Sequence, residues 1–450
     1  TVFLGYSARF RSDSIRYVFD CENSRSTPTD ITPPVVAVVT SPTRNGIYKE
    51  PDIIAITIIF SESVIVVKTP QLILETGEKD ALVDYSSGSG TAILNFKYTI
   101  ASGHISSDLN YIDTTSLALN GGTIRDIAQN NAKLTLPDPD STGALGVNKS
   151  LVIDGILPTV NEVTSEVIDG LYKLGDTLAI TISFSEPMIV SGIPQLTLET
   201  GNNDAVVNYY SGSGTSILTF QYVVTSGDST GDLDYVGVIA LGLNSGSVKD
   251  AAGNNATLTL PEPGTNGSLG YTRSLVIDGI VPTIYSVTST VTDSVFKIAD
   301  IIPILVTLSE NVTVDTSAGK PQITLETGTT DAVVDYASGS GSSILTFNYT
   351  VASGHNSIHL DYASDSALTL NGSTITDAAG SATYLTLAVP GVAGSLAADK
   401  TLYIDGVSPV VTSVSSNAPD TTYIIADTIG ITVTFNEAVI VTGTPQLTME

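Results

Sequence analysis

Apolar and small polar residues alternate along most of this chain, and turn residues separate the alternating runs. The pattern is clearest in residues 179–184, where Ile180, Ile182 and Phe184 alternate with Thr181 and Ser183. Alternation of period two places the apolar side chains on one face of an extended segment and the polar ones on the other. We therefore expect strands that cover a core with one side and meet water with the other, and we find no helical periodicity.

Turn signals fall at short, regular intervals between these runs. In the same part of the chain they are Asp169-Gly170 and residues 211–214, 244–246 and 250–254. About seven or more short strands in a unit of about 120 residues indicate an immunoglobulin-like β-sandwich. The sequence contains one cysteine and no tryptophan, which excludes antibody-type domains built on a disulfide and a core tryptophan.

Near-copies of one segment recur along the chain and mark seams between repeats. Residues 149–159 return at 273–283 and at 400–410, each with an Asp-Gly turn followed by a proline. The fold class predicted is all-β, with tandem immunoglobulin-like β-sandwich repeats that form an elongated rod. The predicted units are an N-terminal extension at 1–29 with possible assembly strands, repeats at 30–155, 156–279 and 280–406, and the first half of a fourth repeat at 407–450. Half a sandwich would expose an apolar face, so either the chain continues or another molecule completes the fold.

Composition narrows the possible partners. The net charge is −28 although only 14% of residues are charged, so the chain should be repelled by nucleic acid and attract divalent cations. No apolar run of about 18 residues is present, and no membrane span is predicted. The single cysteine, Cys21, is a candidate for an intermolecular link. We expect a secreted protein, extracellular or at the cell surface.

A set of motifs recurs in each copy: residues 184–187 (Phe-Ser-Glu-Pro), 194–201 (Pro-Gln-Leu-Thr-Leu-Glu-Thr-Gly), 211–215, 250–254 (Asp-Ala-Ala-Gly-Asn) and 274–279. Together they resemble the tandem bacterial-Ig-like repeats of large secreted surface proteins, over about residues 30–450. Such repeats occur in adhesins, motility-associated surface proteins and fibrous appendages. The resemblance implies rod-like arrays that serve as stalks, filaments or adhesive fibres, often with calcium at the joints.

Calcium is the sharpest site hypothesis, because this cation takes several oxygen ligands. Each copy offers an aspartate in the Asp-x-Ala-Gly-Asn loop and another at the seam; these candidates are Asp126, Asp154, Asp250, Asp278, Asp377 and Asp405. The glutamates that follow Phe-Ser and its equivalents could join them if the sheet ends converge; they are Glu62, Glu186, Glu310 and Glu437. The alternative is that these aspartates only close turns on their own backbone. Two copies depart from the loop motif, with Gln129 in place of glycine and Ser381 in place of asparagine, so ligand affinity should vary along the array.

Other candidate chemistry has simpler explanations. The Ser-Gly-Ser-Gly segments at 87–90, 211–214 and 338–341 lack the features of a phosphate loop or a nucleophile elbow, and we interpret them as hairpin turns. The histidines His104, His355 and His359 lack a recurring nucleophile and are interpreted as loop residues. We expect Asp232 and Asp234 to form a turn that leads into a strand, with Tyr111, Tyr235 and Tyr362 packed inward.

Six Asn-x-Ser/Thr sequons make glycosylation possible if the source is eukaryotic; they are Asn148, Asn255, Asn266, Asn311, Asn348 and Asn371. The function predicted is a non-enzymatic extracellular structural protein that assembles with itself into a filament or cell-surface appendage. The alternative is an adhesin stalk or binding module that recognises a glycan or a host surface.

Overall fold

The structure is a computed structural model that describes residues 29–450. The strands expected in the N-terminal extension and the candidate link Cys21 lie outside the described residues. Within them the protein is built almost entirely of β-strands, and this confirms the predicted all-β class of tandem β-sandwich repeats.

Each repeat contains ten or eleven strands and one short helical turn. In the first repeat the strands are β1 (Val36–Thr40), β2 (Gly46–Tyr48), β3 (Ile53–Val67), β4 (Gln71–Glu75), β5 (Ala81–Ser87), β6 (Thr91–Thr99), β7 (Ile105–Ser106), β8 (Asn110–Tyr111), β9 (Leu117–Ala118), β10 (Thr123–Arg125) and β11 (Leu151–Asp154), with the turn α1 (Leu145–Asn148) before β11. The second repeat has β12 (Val160–Ser165), β13 (Gly170–Lys173), β14 (Thr177–Ser191), β15 (Gln195–Glu199), β16 (Ala205–Ser211), β17 (Thr215–Val223), β18 (Ser229–Thr230), β19 (Asp234–Tyr235), β20 (Leu241–Gly242), β21 (Ser247–Lys249), α2 (Leu269–Thr272) and β22 (Leu275–Asp278).

The remaining elements follow the same plan. The third repeat has β23 (Ile284–Ser289), β24 (Ser294–Lys297), β25 (Ile301–Asp315), β26 (Gln322–Leu325), β27 (Ala332–Ser338), β28 (Ser342–Thr350), β29 (Asn356–Ser357), β30 (Leu368–Thr369), β31 (Thr374–Thr376), α3 (Leu396–Asp399) and β32 (Leu402–Asp405). The last segment forms one antiparallel pair, β33 (Val411–Ser416) and β34 (Ile431–Phe435).

One strand in each repeat is long enough to belong to both layers of the sandwich. In the second repeat, the first half of β14 lies between β12 and β17, whereas its second half pairs with β21. The main sheet runs β12-β14-β17-β16-β15-β19. A separate small sheet, β13-β22-β18, carries the strand that leads to the next seam. The end of each repeat is therefore fixed by strands on both sides.

Three hydrophobic clusters fill the three repeats, and each lies within one predicted unit. The alternation seen in the sequence explains them, since Ile180 and Ile182 are fully buried and Phe184 nearly so. Tyr235 and its equivalents Tyr111 and Tyr362 are also buried, which confirms their predicted inward packing. No helix in residues 29–450 is long and apolar enough to cross a membrane.

The fourth segment has the same pair of strands, but few other residues pack on their apolar side chains. Ile431 and Val433 are each 37% exposed, whereas their counterparts Ile304 and Val306 in the third repeat are 0% exposed. In the third repeat β28 pairs along β25 and contributes to that core. The predicted half repeat therefore presents an apolar face among the described residues.

Candidate metal centre at the joints

Within residues 29–450 three groups of carboxylates recur, one at the start of the first repeat and two where consecutive repeats meet, and we call them the first, second and third clusters. They comprise Asp30, Glu62 and Asp126; Asp154, Glu186 and Asp250; and Asp278, Glu310 and Asp377. In each cluster one oxygen from every member lies within 4.8 Å of the others. The second and third clusters combine a seam aspartate from the end of one repeat with a glutamate and a loop aspartate from the next.

The glutamate is positioned by a break in the strand ladder. In β14 the regular pairing with β17 stops at Ser183 and resumes at Met188, and Glu186 lies in this bulge. The preceding Ser185 ties the strand to the seam, because its Oγ accepts from Thr159 N at 3.1 Å and its own N–H donates to the Thr159 carbonyl at 2.9 Å. The Phe-Ser-Glu motif thus places one residue in the core, one on the seam and one in the cluster.

The loop aspartate is held by the asparagine four residues after it. Asp250 is 2% exposed, and its Oδ1 and Oδ2 accept from the backbone N–H and the Nδ2 of Asn254, both at 2.8 Å. The same Nδ2 donates to the carbonyl of Asp154 at 2.9 Å. Asn254 therefore bridges the loop and the seam aspartate across the joint, and Asn130 makes the equivalent bonds to Asp126 and Asp30 in the first cluster.

The seam aspartate is fixed by its own turn and by a close approach of the backbone. Asp154 Oδ1 accepts from Ile156 N at 3.2 Å, which is the hydrogen bond of an Asx turn. Gly155 N–H donates to the His104 carbonyl at 2.7 Å, and a Cβ at this glycine would lie 2.5 Å from the Ala101 carbonyl oxygen. Only glycine allows this approach, which explains the Asp-Gly pair in the seam.

A lysine of the preceding repeat also reaches the loop. Lys49 Nζ donates to the Gly253 carbonyl at 2.7 Å, and Lys173 Nζ donates to the Gly380 carbonyl at 3.1 Å. Both lysines directly follow or end the short strand beside the seam strand, and they are 124 residues apart. Our sequence analysis missed this contact, although the common spacing was a visible signal.

The clustered carboxylates disfavour one another's charge. Burial is the main cause that raises the pKa of Glu186, and the charges of Asp154 and Asp250 raise it further. Burial likewise raises the pKa of Glu310, with added contributions from the charges of Asp278 and Asp377. A cation would remove this repulsion, because an opposite charge favours the ionised form.

The third cluster differs from the other two in its hydrogen bonds. Ser381 N–H donates to Asp377 Oδ1 at 2.8 Å, but the serine Oγ has no partner. Asp377 Oδ2 and Glu310 Oε1 are also buried without a partner. Since buried polar atoms are normally hydrogen-bonded or bound to an ion, these atoms and the carboxylate donor set fit a hard cation.

The structure brings together most of the predicted metal ligands. It pairs Asp154 with Asp250 and Asp278 with Asp377, so the aspartates that meet across a seam belong to consecutive repeats. Asp126 meets Asp30, a recurring seam residue that our candidate set omitted. Asp405 belongs to no such cluster within residues 29–450.

The other sequence candidates lie in structural contacts. Asp232 Oδ1 accepts from Leu275 N and Asp234 Oδ2 accepts from Gly264 N, so both carboxylates hold neighbouring backbone segments. The three Ser-Gly-Ser-Gly segments connect antiparallel strands, which confirms them as hairpin turns. All six sequon asparagines are exposed, and glycosylation stays a prediction.

Two of the three histidines form ordered pairs with tyrosine. The Tyr98 hydroxyl lies 2.9 Å from His104 Nδ1, and Tyr349 and His355 repeat this distance. Asp228 takes the place of the histidine in the second repeat, where it accepts from the Tyr222 hydroxyl at 2.7 Å. His359 Nε2 lies 3.0 Å from the Lys400 carbonyl oxygen.

Comparison with known proteins gives only distant likenesses. No family model and no curated protein matches this chain. Among solved structures it is similar to the full extracellular region of plexin A4, with 9% identity and a TM-score of 0.17, over 77% of this chain and 34% of that one. It is also similar to surface layer protein SbsC, domains 1–6, with 12% identity and a TM-score of 0.13, over 90% of this chain and 63% of that one. The chain thus spans about a third of the first of these structures and less than two thirds of the second.

Proposed function

We propose that this chain is a non-enzymatic structural protein that works outside the cell, as a length of a filament or cell-surface appendage. The observation that carries this proposal is the joint, whose seam aspartates and glutamates recur every 124 residues with similar contacts. A unit that binds the next copy of itself through one repeated joint generates a linear array whose members contact only their neighbours.

The contacts across the joint support a stiff array. At the second cluster, Asn254 binds the seam carbonyl and Lys49 binds the Gly253 carbonyl. The seam hydrogen-bonds to the first repeat through Gly155 and to the second repeat through Thr159. Hydrogen bonds on both sides of the seam leave little freedom between the repeats, as a stiff rod requires.

We propose calcium as the cation of the clusters. Carboxylate oxygens are ligands of hard cations, and calcium accepts more varied arrangements than magnesium, which needs near-ideal octahedral geometry. Extracellular calcium modules work with weak sites, with dissociation constants of about 10⁻⁴ to 10⁻³ M. Clusters of three carboxylates suit that range, and the net charge of −28 adds a general attraction for cations.

Self-assembly is the partner interaction that we favour. The repeated joint supports this, since it already binds one copy of the unit to the next within the chain. The alternative function is an adhesin stalk that carries a glycan-binding or surface-binding module. Both functions use the same stiff joints, so they differ in whether the purified protein polymerises.

Electron microscopy of the purified protein tests these functions directly. We would image it in calcium and in chelator. Ordered polymers with a repeating subunit in calcium would support the filament. Single particles under every condition would refute it and leave the stalk. Single particles that bend freely at the seams in calcium would refute the stiff rod, and with it both the filament and the stalk.

A further inference from the structure

The third cluster lacks the asparagine bridge of the first two, although Lys173 Nζ still binds the Gly380 carbonyl across this joint. In the first cluster, Asn130 Nδ2 lies 2.7 Å from Asp126 Oδ2 and 3.0 Å from the Asp30 carbonyl oxygen. The second cluster has the same bridge through Asn254. In these two joints one amide group links the loop aspartate to the seam, and no ion is needed to make that link.

Ser381 cannot make this bridge in the third joint. Its side chain is shorter than that of asparagine, and its Oγ is buried without a partner. The backbone of the loop is nevertheless unchanged, since Ser381 N–H binds Asp377 Oδ1 as Asn254 N–H binds Asp250 Oδ1, at 2.8 Å in both. The difference therefore comes from the side chain alone.

The missing bridge leaves oxygen atoms that point to a ligand. Asp377 is 4% exposed and its Oδ2 has no partner. Glu310 is half-buried, and its Oε1 atom is also buried without a partner. Leaving such groups unsatisfied is unfavourable, and an unpaired buried charge is more so. A cation would satisfy both carboxylates and would join them to Asp278 across the seam.

We propose that a bound divalent cation takes the place of the missing asparagine bridge in the third cluster and stabilises that joint, which otherwise keeps the Lys173 contact to the Gly380 carbonyl. The first two clusters have their asparagine bridges without a cation. This inference rests on the cation role proposed above and adds that the role is unequal along the chain. Removal of calcium should therefore loosen the chain at one place, between the second and third repeats, and not at every seam.

Hydrogen exchange measured by mass spectrometry tests this joint by joint in the whole protein. The probe is Ca²⁺ alone, titrated into chelator-treated protein. We expect the loop at 377–381 and the seam at 278–283 to exchange at least tenfold faster in chelator than in saturating calcium. The loops at 126–130 and 250–254 should change by less than threefold.

Two reciprocal substitutions provide the matched controls. Ser381→Asn should restore the bridge and make exchange at the third joint insensitive to chelator, and Asn254→Ser should transfer the sensitivity to the second joint. Asn255→Ser, at the exposed neighbouring position, should change neither joint. Because Ser381→Asn is expected to slow exchange in chelator, a folding defect cannot imitate its predicted effect.

The possible failures separate this inference from the cation role. If calcium binds and all three joints respond alike, the cation role stands and the unequal dependence is wrong. If calorimetry detects no calcium binding and chelator changes no joint, both are wrong. A Ser381→Asn variant that keeps full chelator sensitivity would also overturn the inference.

Discussion

Replacing the seam aspartate of the third cluster should have opposite effects with and without calcium. Asp278→Asn removes one negative charge but keeps the turn, since Asp278 Oδ1 accepts from Ile280 N at 3.2 Å and an asparagine oxygen can do the same. In chelator the change relieves repulsion with Glu310 and Asp377. In calcium it removes a ligand.

The size of each effect follows from the geometry. Two full charges at the 4.8 Å upper limit of the separations in the cluster repel by about 3.5 kcal/mol at an effective dielectric constant of about 20. Partial exposure and proton uptake by Glu310, whose pKa is raised, reduce this to about 1 kcal/mol. With calcium at about 100 times its dissociation constant, binding stabilises the repeat by about 2.7 kcal/mol, and a hundredfold loss of affinity would leave about 0.4 kcal/mol. The variant should thus be about 1 kcal/mol more stable in chelator and about 1 kcal/mol less stable in calcium.

Calorimetric unfolding of the whole protein, combined with hydrogen exchange at residues 377–381, measures the change in stability of the variant in calcium and in chelator. Asp405→Asn is the matched control, because Asp405 makes the same turn bond to Val407 N and belongs to no cluster within the described residues. The reasoning is refuted if Asp278→Asn shifts stability in the same direction in both solutions, or if Asp405→Asn shows the same reversal.

Three further predictions concern the individual repeats. Gln129 has a φ of +74°, where a side chain costs about 1–2 kcal/mol; Gln129→Gly should stabilise the first repeat by about 0.5–1 kcal/mol in denaturant unfolding, after the entropy cost of glycine. A Cβ at Gly279 would lie 2.1 Å from a carbonyl oxygen, so Gly279→Ala should lower stability in the same assay by about 1–3 kcal/mol, and the control Gly237→Ala, with open space around it, should change little. Burial lowers the pKa of His104, although the Glu50 charge opposes this. As the pH falls, the unfolded state therefore binds a proton at this histidine before the folded state does. The first repeat should lose stability as pH falls below about 6.5. His104→Asp should remove that loss in thermal unfolding at pH 7.5 and 5.5.

Each of these three has a clear contrary result. Equal or lower stability of Gln129→Gly would mean that the loop conformation is not strained. Tolerance of Gly279→Ala would mean that the seam can move away from the neighbouring carbonyl. The same acid sensitivity in His104→Asp would assign that sensitivity to other groups.

The sequence predicted the fold well because its signals are local. Alternation in residues 179–184 identified a strand and its buried face, and the Asp-Gly turns identified the seams. Short helical turns such as α2 escaped prediction, because four residues cannot display a helical period. The full length of β14 was also hidden, since Pro187 interrupts the pattern; the structure accommodates this proline in the bulge, where no ladder bond to β17 is required.

The candidate site was only partly predictable, because its members come from different repeats. Asp154 and Asp250 are 96 residues apart, and nothing in the local pattern indicates that the end of one repeat meets a loop of the next. The seam carbonyl, the Asn254 amide and the Lys49 ammonium group are not visible as partners in a list of acidic residues. Their recurrence with a common spacing was the available signal.

The departures from the repeat pattern carry more information about function than the repeats themselves. Asn254 and Ser381 occupy the same position of the same loop, with the same backbone hydrogen bond, yet only the asparagine links the loop to the seam. Stability of a linear array is approximately a sum over its units and the contacts between neighbours. A single changed side chain at one contact can therefore decide which joint is the least stable. We expect the third joint to be the least stable one when calcium is withdrawn.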